Sequence, residues 1–209
     1  DPQGLAELAR VCAAVTTEFE NVPAASLNQL AQTLPVAPAG SAVAIAQDRA
    51  AEKAHFVRCG VPVAPHAVIE TPEQLAAVPA DLLPGILKTA RMGYDGKGQV
   101  RVKTPAELAA AWDSVGQVPC VLEKMLPLQL ECSVIVARGA DGAMVHLPVQ
   151  RNLHRDGILA VTEVYEQNLP PALAAQAVAA AKSVAEGLQY VGVLCVEFFV
   201  LQDGSLVVN

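Results

Sequence analysis

A short glycine-rich segment, Gly93-Tyr94-Asp95-Gly96-Lys97-Gly98-Gln99, carries residue types suited to holding a phosphorylated ligand. Its three glycines within six residues let the backbone approach a ligand closely, and successive N–H groups of such a loop can donate to phosphate oxygens. The segment is not a Walker A loop, because glycine follows the lysine and a strand pattern follows the loop. A plain glycine-rich hairpin is the simpler interpretation, so the neighbouring residues decide between the two.

Basic residues precede this loop at two places. Lys88 follows the apolar run Gly85-Ile86-Leu87 on a predicted strand that leads into the loop, so its ammonium group is well placed to pair with a phosphate. The alternative is an edge lysine whose ammonium group reaches water. Arg49 and Lys53 lie four residues apart on one face of a predicted helix, and on spacing alone we expect both to be solvated surface charges.

Carboxylates occur where two predicted strands meet. Val121-Leu122-Glu123-Lys124 ends an apolar strand with a charged pair, and Glu131 opens the next strand. The backbone of the connector between them could hydrogen-bond the edge of an adenine ring, and a carboxylate could accept ribose hydroxyls. Taken singly, each glutamate is more simply explained as a solvated strand end.

Glu197 lies within residues 191–201, a run that is apolar on both faces of a predicted strand and is therefore expected to be buried. A buried ionised carboxylate needs a cationic partner or a metal, and no cation is near in sequence, which favours a metal ligand. A two-residue turn at Asp203-Gly204 would pair Phe198 with Asn209. Glu197 would then face the position after Asn209, where a carboxylate would complete a magnesium site.

His154 follows a predicted strand, and we expect it in a loop, where a histidine is more often solvated than functional. The other histidines are not part of any recognisable group of catalytic or metal-binding residues. The sequence has no Gly-x-Ser-x-Gly motif, no His-Glu-x-x-His motif and no Cys-His pairing, so hydrolase and zinc-enzyme chemistry have no support.

The composition narrows the class of protein. The 209 residues carry 14 Lys+Arg and 21 Asp+Glu, a net charge of −7 with no basic run, which argues against a nucleic-acid or anionic-membrane partner. A hydrophobic content of 53% excludes a disordered chain, and 4% aromatics predict an aliphatic core. The longest uncharged stretch, residues 21–47, holds three prolines and cannot span a membrane. Five widely spaced cysteines predict buried thiols of a reducing compartment.

Prolines between segments and a change in the predicted secondary-structure pattern divide the chain into four parts: residues 1–39, 40–60, 61–117 and 118–209. The second part has the spacing of one helix that Gly60 ends. The third is a small lobe in which Thr71-Pro72 and Thr104-Pro105 start helices. The fourth holds longer strands, an Ala-rich helix and two-residue hairpin signals at Asp141-Gly142 and Asp203-Gly204. Helices joined to antiparallel hairpins predict an α+β (mixed α/β) class rather than a doubly wound parallel sheet.

Together these segments resemble the ATP-grasp superfamily and, within it, the N-carboxyaminoimidazole ribonucleotide synthetase family. The combination of Glu18-Phe19-Glu20-Asn21-Val22-Pro23 with the Gly93–Gln99 loop is specific to that family. The other segments that carry the resemblance run in family order: Gln47-Asp48-Arg49 with Glu52-Lys53, Leu87–Arg91, Glu123-Lys124, Glu131–Ile135 with Ala137-Arg138, Asn152–His154 with Asp156–Leu159, and Val191–Phe199.

The resemblance implies an ATP-grasp fold, with nucleotide between two α+β lobes and a remnant of an N-terminal Rossmann-like domain. It implies an ATP-dependent carbon–nitrogen ligase of purine biosynthesis. ATP would phosphorylate bicarbonate to carboxyphosphate, and the amine of 5-aminoimidazole ribonucleotide would capture the carboxyl group. ATP and magnesium would be the cofactors, and the intact protein would be a cytoplasmic homodimer with small-molecule substrates and neither nucleic acid nor membrane as partner.

The resemblance also implies roles by position. Tyr94, Asp95 and Lys97 would be catalytic and face the aminoimidazole and bicarbonate, and Glu197 would bind magnesium. The nucleotide would be bound by Arg49, Lys88, His154 and Asn209, by the flap residues Gly93, Gly96, Gly98 and Gln99, by Glu123, Lys124, Met125 and Leu126 at the adenine, and by Glu131 at the ribose.

The ends of the chain depart from the family pattern. The family begins with a strand and a Gly-Gln-Leu-Gly-type turn and continues after the position of Asn209 with Glu-Leu-Ala-Pro-Arg. We therefore expect an incomplete fragment that lacks one metal ligand and does not turn over alone. The alternatives are an ATP-dependent glycinamide ribonucleotide transformylase, a biotin-carboxylase-like enzyme, or a nucleotide-binding module without catalysis.

Overall fold

The computed structural model describes residues 1–93, 98–155 and 157–209. The helices are α1 (Pro2–Val11), α2 (Ala24–Leu30), α3 (Gly40–Ala46), α4 (Arg49–Arg58), α5 (Pro72–Ala76), α6 (Pro105–Ser114) and α7 (Pro171–Gly187), with a 3₁₀ turn at Ala80–Leu82. The strands are β1 (His66–Ile69), β2 (Gly85–Thr89), β3 (Gln99–Val102), β4 (Cys120–Lys124), β5 (Leu128–Arg138), β6 (Met144–His146), β7 (Gln150–Arg155), β8 (Ile158–Val164), β9 (Gly192–Leu201) and β10 (Leu206–Val208).

The smaller lobe is an antiparallel sheet in the order β1-β4-β2-β3. Both predicted Thr-Pro helix starts are confirmed. The Thr71 hydroxyl accepts from the backbone N–H of Gln74, whose side chain closes a capping box at the start of α5, and Thr104 caps α6. Ile69, Leu87 and Trp112 are among the buried residues of the lobe's core. This sheet holds β2 and β4 side by side, and these strands carry Lys88 and Glu123.

The larger lobe is a sheet in the order β10-β9-β5-β7-β8, with β6 paired to β5. Helix α7 packs against one face, where Val134, Ala181 and Phe198 form part of the core. Side chains alternate between faces along a strand, so Glu131 on β5 and Glu197 on β9 lie on the opposite face. The predicted α+β class is confirmed by these two lobes, whereas strand β9 is not buried on both faces: Val196 and Phe198 are buried, but Cys195 is exposed.

The predicted single helix over the second part of the chain is two helices, α3 and α4. The break occurs at Asp48, whose carboxylate accepts from the backbone N–H groups of Ala50 and Ala51 and so starts a new helix. The Gln47 amide donates to the backbone oxygens of Glu20 and Val22, both at 2.6 Å, and ties the N-terminal residues to this junction.

Both Asp-Gly hairpins have three-residue loops, so the predicted two-residue turns are wrong. Gly142 and Gly204 adopt φ of +83° and +82°, and their N–H groups donate to the oxygens of Gly139 and Leu201. A left-handed glycine at this position adds one residue to the loop. The register of β9 and β10 therefore moves by one residue: Val208, not Asn209, pairs with Phe198.

The consequence of this register is that Asn209 itself lies opposite Glu197, to whose backbone oxygen its N–H donates at 2.9 Å. The expectation that Glu197 faces the next position along the chain is therefore wrong.

The five cysteines are free thiols, of which Cys120 and Cys132 are buried, Cys12 and Cys59 are intermediate and Cys195 is exposed. The expectation of five buried thiols is confirmed for Cys120 and Cys132 only, and it is wrong for Cys195. Within the described ranges, no helix combines the length and the apolar character that a membrane crossing requires.

Replacing Gly204 by alanine should lower the free energy of unfolding by about 1 kcal/mol, because a β-carbon disfavours left-handed backbone. A β-carbon would meet no atom within 4 Å, so the cost is conformational. Gly204→Asn should lose less, since asparagine tolerates this conformation better. Chemical denaturation of the full-length gene product measures both losses. Equal stability of the alanine variant and the wild type would contradict the left-handed loop.

Candidate functional site

A cavity of about 340 Å³ is lined by residues of both sheets. The predicted nucleotide residues Lys88 and Gln99 come from the smaller sheet, and Glu131 and His154 come from the larger one. Glu123, Lys124, Met125, Leu126 and Asn209 complete this group. Strand β4 runs into β5 through residues 125–127, so one connection carries the lining from one sheet to the other.

Apolar side chains form part of the same lining. Ile86 and Met125 contribute from the side of the smaller lobe, and Phe199 and Leu201 from β9. A cavity with apolar walls and a few charged groups is the usual form of a small-molecule site. This arrangement can accommodate a flat ring near Met125 and Leu126 and an anionic group near Lys88.

The strongest electrostatic feature of the cavity is a buried cluster of three charges. One Glu123 oxygen, Oε2, accepts a hydrogen bond from Lys88 Nζ at 3.2 Å. The other, Oε1, lies 3.3 Å from Lys53 Nζ in an ion pair. Glu123 and Lys53 are 4% and 2% exposed, so the expectations of a solvated strand end and a solvated helix face are both wrong.

The two ammonium groups favour the ionised form of Glu123. Burial alone would raise the pKa of Glu123, but the ammonium groups of Lys88 and Lys53 outweigh it and hold this pKa below its ordinary value. Burial lowers the pKa of Lys88, although the Glu123 carboxylate opposes that shift. The cluster contains two ammonium groups and one carboxylate, so it presents a net positive charge at the cavity wall.

His154 and Glu131 face each other across β7 and β5. His154 Nδ1 lies 2.9 Å from Glu131 Oε2. Because His154 belongs to strand β7, the prediction of a loop histidine is wrong. Burial raises the pKa of Glu131, the charge of His154 opposes the shift, and that of Glu197 adds to it. Lys88 and Glu131 line the same cavity. Glu131 lies opposite Phe199 on β9, so Glu197 is its diagonal neighbour on the same face of the larger sheet.

A second cavity, of about 360 Å³, lies beside the first. Its lining includes Glu20, Arg49, Glu52, Gly93 and Glu197. Asn209 lines both cavities, which places the end of β10 at their junction. Arg49, a predicted nucleotide ligand, lines this second cavity.

The pair at this junction suits a hard cation. Asn209 Nδ2 donates to Glu197 Oε2 at 3.2 Å, and among the described residues nothing donates to the buried Asn209 Oδ1. Carboxylate and amide oxygens are ligands that Mg²⁺ accepts, so this orphaned oxygen beside a carboxylate fits the predicted metal. In the part of the chain that the structure describes, no three His, Cys, Asp or Glu residues form a metal cluster. Glu197 and Asn209 would therefore supply only part of the coordination.

The central residues of the glycine loop, Tyr94, Asp95, Gly96 and Lys97, lie outside the described residues. The two ends of the loop are described. Gly93 lines the second cavity and Gln99 the first. The Gly98 oxygen accepts from the backbone N–H of Thr89 at 2.8 Å, which fixes the end of the loop beside Lys88.

Two charged residues of α4 were missed as site residues. Lys53 lies three residues before the buried Phe56, a spacing that places both on one helix face, and this was the available signal. Glu52 is partly buried and lines the second cavity. Burial raises the pKa of Glu52 to about 7, although Arg49 and Lys53 oppose the shift.

A family model for the ATP-grasp domain matches residues 54–209. The chain belongs to the ATP-grasp family. A second model, for the ribonucleotide synthetase preATP-grasp domain, matches residues 1–47. A solved structure of a biotin carboxylase from Campylobacter jejuni has a TM-score of 0.83 at 21% identity, over 97% of this chain and 49% of that one, a likeness of fold alone.

Curated relatives are similar to this chain over its whole length. An N5-carboxyaminoimidazole ribonucleotide synthase of Brucella melitensis is 42% identical over 100% of this chain and 58% of that protein. The enzyme of the same name from Pseudomonas aeruginosa is 39% identical over 100% of this chain and 57% of that protein. The chain thus spans little more than half the length of these relatives.

Solved structures of such synthetases also match this chain over its whole length and over little more than half of their own. An ADP complex has a TM-score of 0.92 and 35% identity, over 100% of this chain and 55% of that one. An Aspergillus clavatus synthase in complex with ADP and 5-aminoimidazole ribonucleotide has a TM-score of 0.87 and 26% identity, with the same coverage.

The raised pKa of Glu52 predicts a pH-dependent loss of stability. Between pH 4.5 and about 7 the folded state keeps a proton that the unfolded chain has lost, so stability falls as the pH rises. We expect the wild type to lose roughly 1–2 kcal/mol between pH 5 and 7 through this group, and Glu52→Gln to lose less. Denaturant unfolding of the full-length gene product at several pH values measures the slopes. The exposed control Glu70→Gln should keep the wild-type slope, and an unchanged slope in Glu52→Gln would contradict the assignment.

Proposed function

We propose that the full-length protein containing this chain uses ATP to carboxylate 5-aminoimidazole ribonucleotide with bicarbonate. The observation that carries the proposal is the pair of adjoining cavities with Glu197 and Asn209 at their junction. The similarity to named synthases over the whole chain supports it. So does the likeness to a synthase whose solved structure holds both ADP and 5-aminoimidazole ribonucleotide.

In this proposal the first cavity binds ATP, between the lobes predicted at residues 61–117 and 118–209. The adenine lies against the apolar wall at Met125 and Leu126, and Glu131 accepts from the ribose. Lys88 and His154 contact the phosphates, and Gln99 marks the end of the flap above them. The positive charge of the Lys53–Glu123–Lys88 cluster attracts the phosphates into the cavity.

The second cavity then receives bicarbonate and 5-aminoimidazole ribonucleotide. Arg49, which lines this cavity, supplies a cation for the phosphate of the aminoimidazole substrate. Tyr94, Asp95 and Lys97 keep the catalytic roles toward aminoimidazole and bicarbonate that the resemblance implies. Transfer of the γ-phosphoryl group to bicarbonate forms carboxyphosphate. The substrate amine attacks the carboxyl carbon of carboxyphosphate, and the bond between that carbon and the bridging oxygen breaks. Inorganic phosphate leaves and takes up the proton that the amine loses.

Glu197 and the Asn209 amide oxygen would hold the magnesium ion at the junction. When bound there, magnesium neutralises the charge that builds up on the phosphoryl oxygens during transfer. The flap would keep water away from the labile acyl phosphate. The homodimer implied by the resemblance stays a prediction for the full-length protein.

The full-length gene product should release ADP from ATP fastest when bicarbonate and 5-aminoimidazole ribonucleotide are both present. Both are needed because the acyl phosphate forms from one and is captured by the other. A coupled ADP-release assay with each substrate omitted in turn measures this dependence. ADP release that ignores the aminoimidazole would overturn the assignment, and binding of ADP without any turnover would instead favour a nucleotide-binding module.

Glu197→Gln in the full-length protein should reduce magnesium-dependent ATP turnover by about 100-fold or more, because an amide replaces the charged metal ligand at similar volume. The unfolding midpoint should change little. The exposed residue Glu186 on α7 gives a matched control, and Glu186→Gln should retain full turnover. Normal turnover in the Glu197 variant would remove this residue from the metal site.

A further inference from the structure

We propose that Lys53 is a positioning residue for nucleotide binding: by neutralising Glu123, it leaves the Lys88 ammonium group free to bind a phosphate. The inference rests on the proposed assignment of the first cavity to a nucleotide. It adds a residue that lies outside the cavity and acts only through Glu123.

The contacts place Lys53 behind the cavity wall. Lys88 and Glu123 are among the described residues that line the cavity, and Lys53 is not. Lys53 is 2% exposed, and its Nζ lies 3.3 Å from Glu123 Oε1. Lys53 therefore has no surface to offer a ligand, and its effect on one must pass through the carboxylate it faces.

The strand register explains why Glu123 needs this second cation. Glu123 on β4 lies opposite Ile86 on β2, so Lys88, two residues further along β2, is its diagonal neighbour on the same face. This proximity alone would produce a neutral pair in which the carboxylate, 3.2 Å from Lys88 Nζ, competes with any incoming phosphate. Helix α4 packs against β4 and brings Lys53 to the other carboxylate oxygen.

The net charge of the Lys53–Glu123–Lys88 cluster depends on Lys53. Two ammonium groups and one carboxylate leave a net positive charge, and Lys88 is the cation of this cluster that the cavity exposes. Removal of the Lys53 charge would leave Glu123 and Lys88 as a neutral pair and would return the full carboxylate charge to the neighbourhood of the phosphates. Interactions of this kind are strong in a poorly hydrated interior.

A buried anchor that only joins α4 to the sheet is the competing explanation. Both explanations predict a lower unfolding temperature when Lys53 is replaced by methionine. Only the positioning role predicts that nucleotide affinity depends on Lys53 when Glu123 is charged and not when Glu123 is neutral. A double-mutant cycle separates the two.

The experiment measures the dissociation constant of Mg·ADP by calorimetry on the full-length protein. Lys53→Met should weaken ADP binding at least about tenfold, while Lys53→Arg should stay within about threefold because it keeps the charge. In a Glu123→Gln background, adding Lys53→Met should change the affinity less than about threefold. The KM for 5-aminoimidazole ribonucleotide should not move in the single variant. The exposed Arg58 on the same helix is the control, and Arg58→Met should bind ADP as the wild type does.

The inference would be overturned if Lys53→Met weakened ADP binding equally in the wild-type and Glu123→Gln backgrounds. It would also be overturned if Lys53→Met bound ADP with wild-type affinity. Should Lys53→Met not fold, Lys53→Gln replaces it with the same expectations. Absence of ADP binding by the wild type would contradict the proposed nucleotide site itself, so the two failures are distinguishable.

Discussion

The carboxylate of Glu123, buried between two lysines, is the interaction on which the candidate site depends. Burial of any one of these charges alone would be strongly unfavourable, and each lysine is compensated by the opposite charge of Glu123. The cluster joins α4 to the smaller sheet through Lys53 and joins neighbouring strands through Lys88. It also forms part of the wall of the first cavity. The same contacts therefore join elements of the fold and set the charge at the cavity wall.

The two faces of the larger sheet have different roles, one in the core and one in the candidate site. One face packs on α7 with Val134, Phe198 and other aliphatic residues, and the other carries Glu131 and Glu197. The alternation of side chains along each strand makes this division possible without any change of backbone. The edge strand β10 then brings Asn209 beside Glu197, where the two cavities meet.

Much of the fold could be predicted because its signals are local. The Thr-Pro helix starts, the Ala-rich helix and strands such as β3 and β4 depend on neighbouring residues alone. The prediction failed where a single residue redirects the chain. Asp48 splits one predicted helix into two, and the left-handed Gly204 lengthens a hairpin loop. Strands β7 and β8 were missed because β7 depends on pairing with β5, and β8 on pairing with β7.

The sequence by itself determined the family, because motif identity and order survive without coordinates. Only the tertiary structure decided which of the motif residues meet. The backbone N–H of Arg49 donates to Ala90, two residues beyond Lys88, and Arg49 lines the second cavity. Lys53 lies in the interior and not at the expected surface position. The reason is physical: a charge is stable in the interior only beside a partner, and the partner, Glu123, lies 70 residues away in sequence on another element.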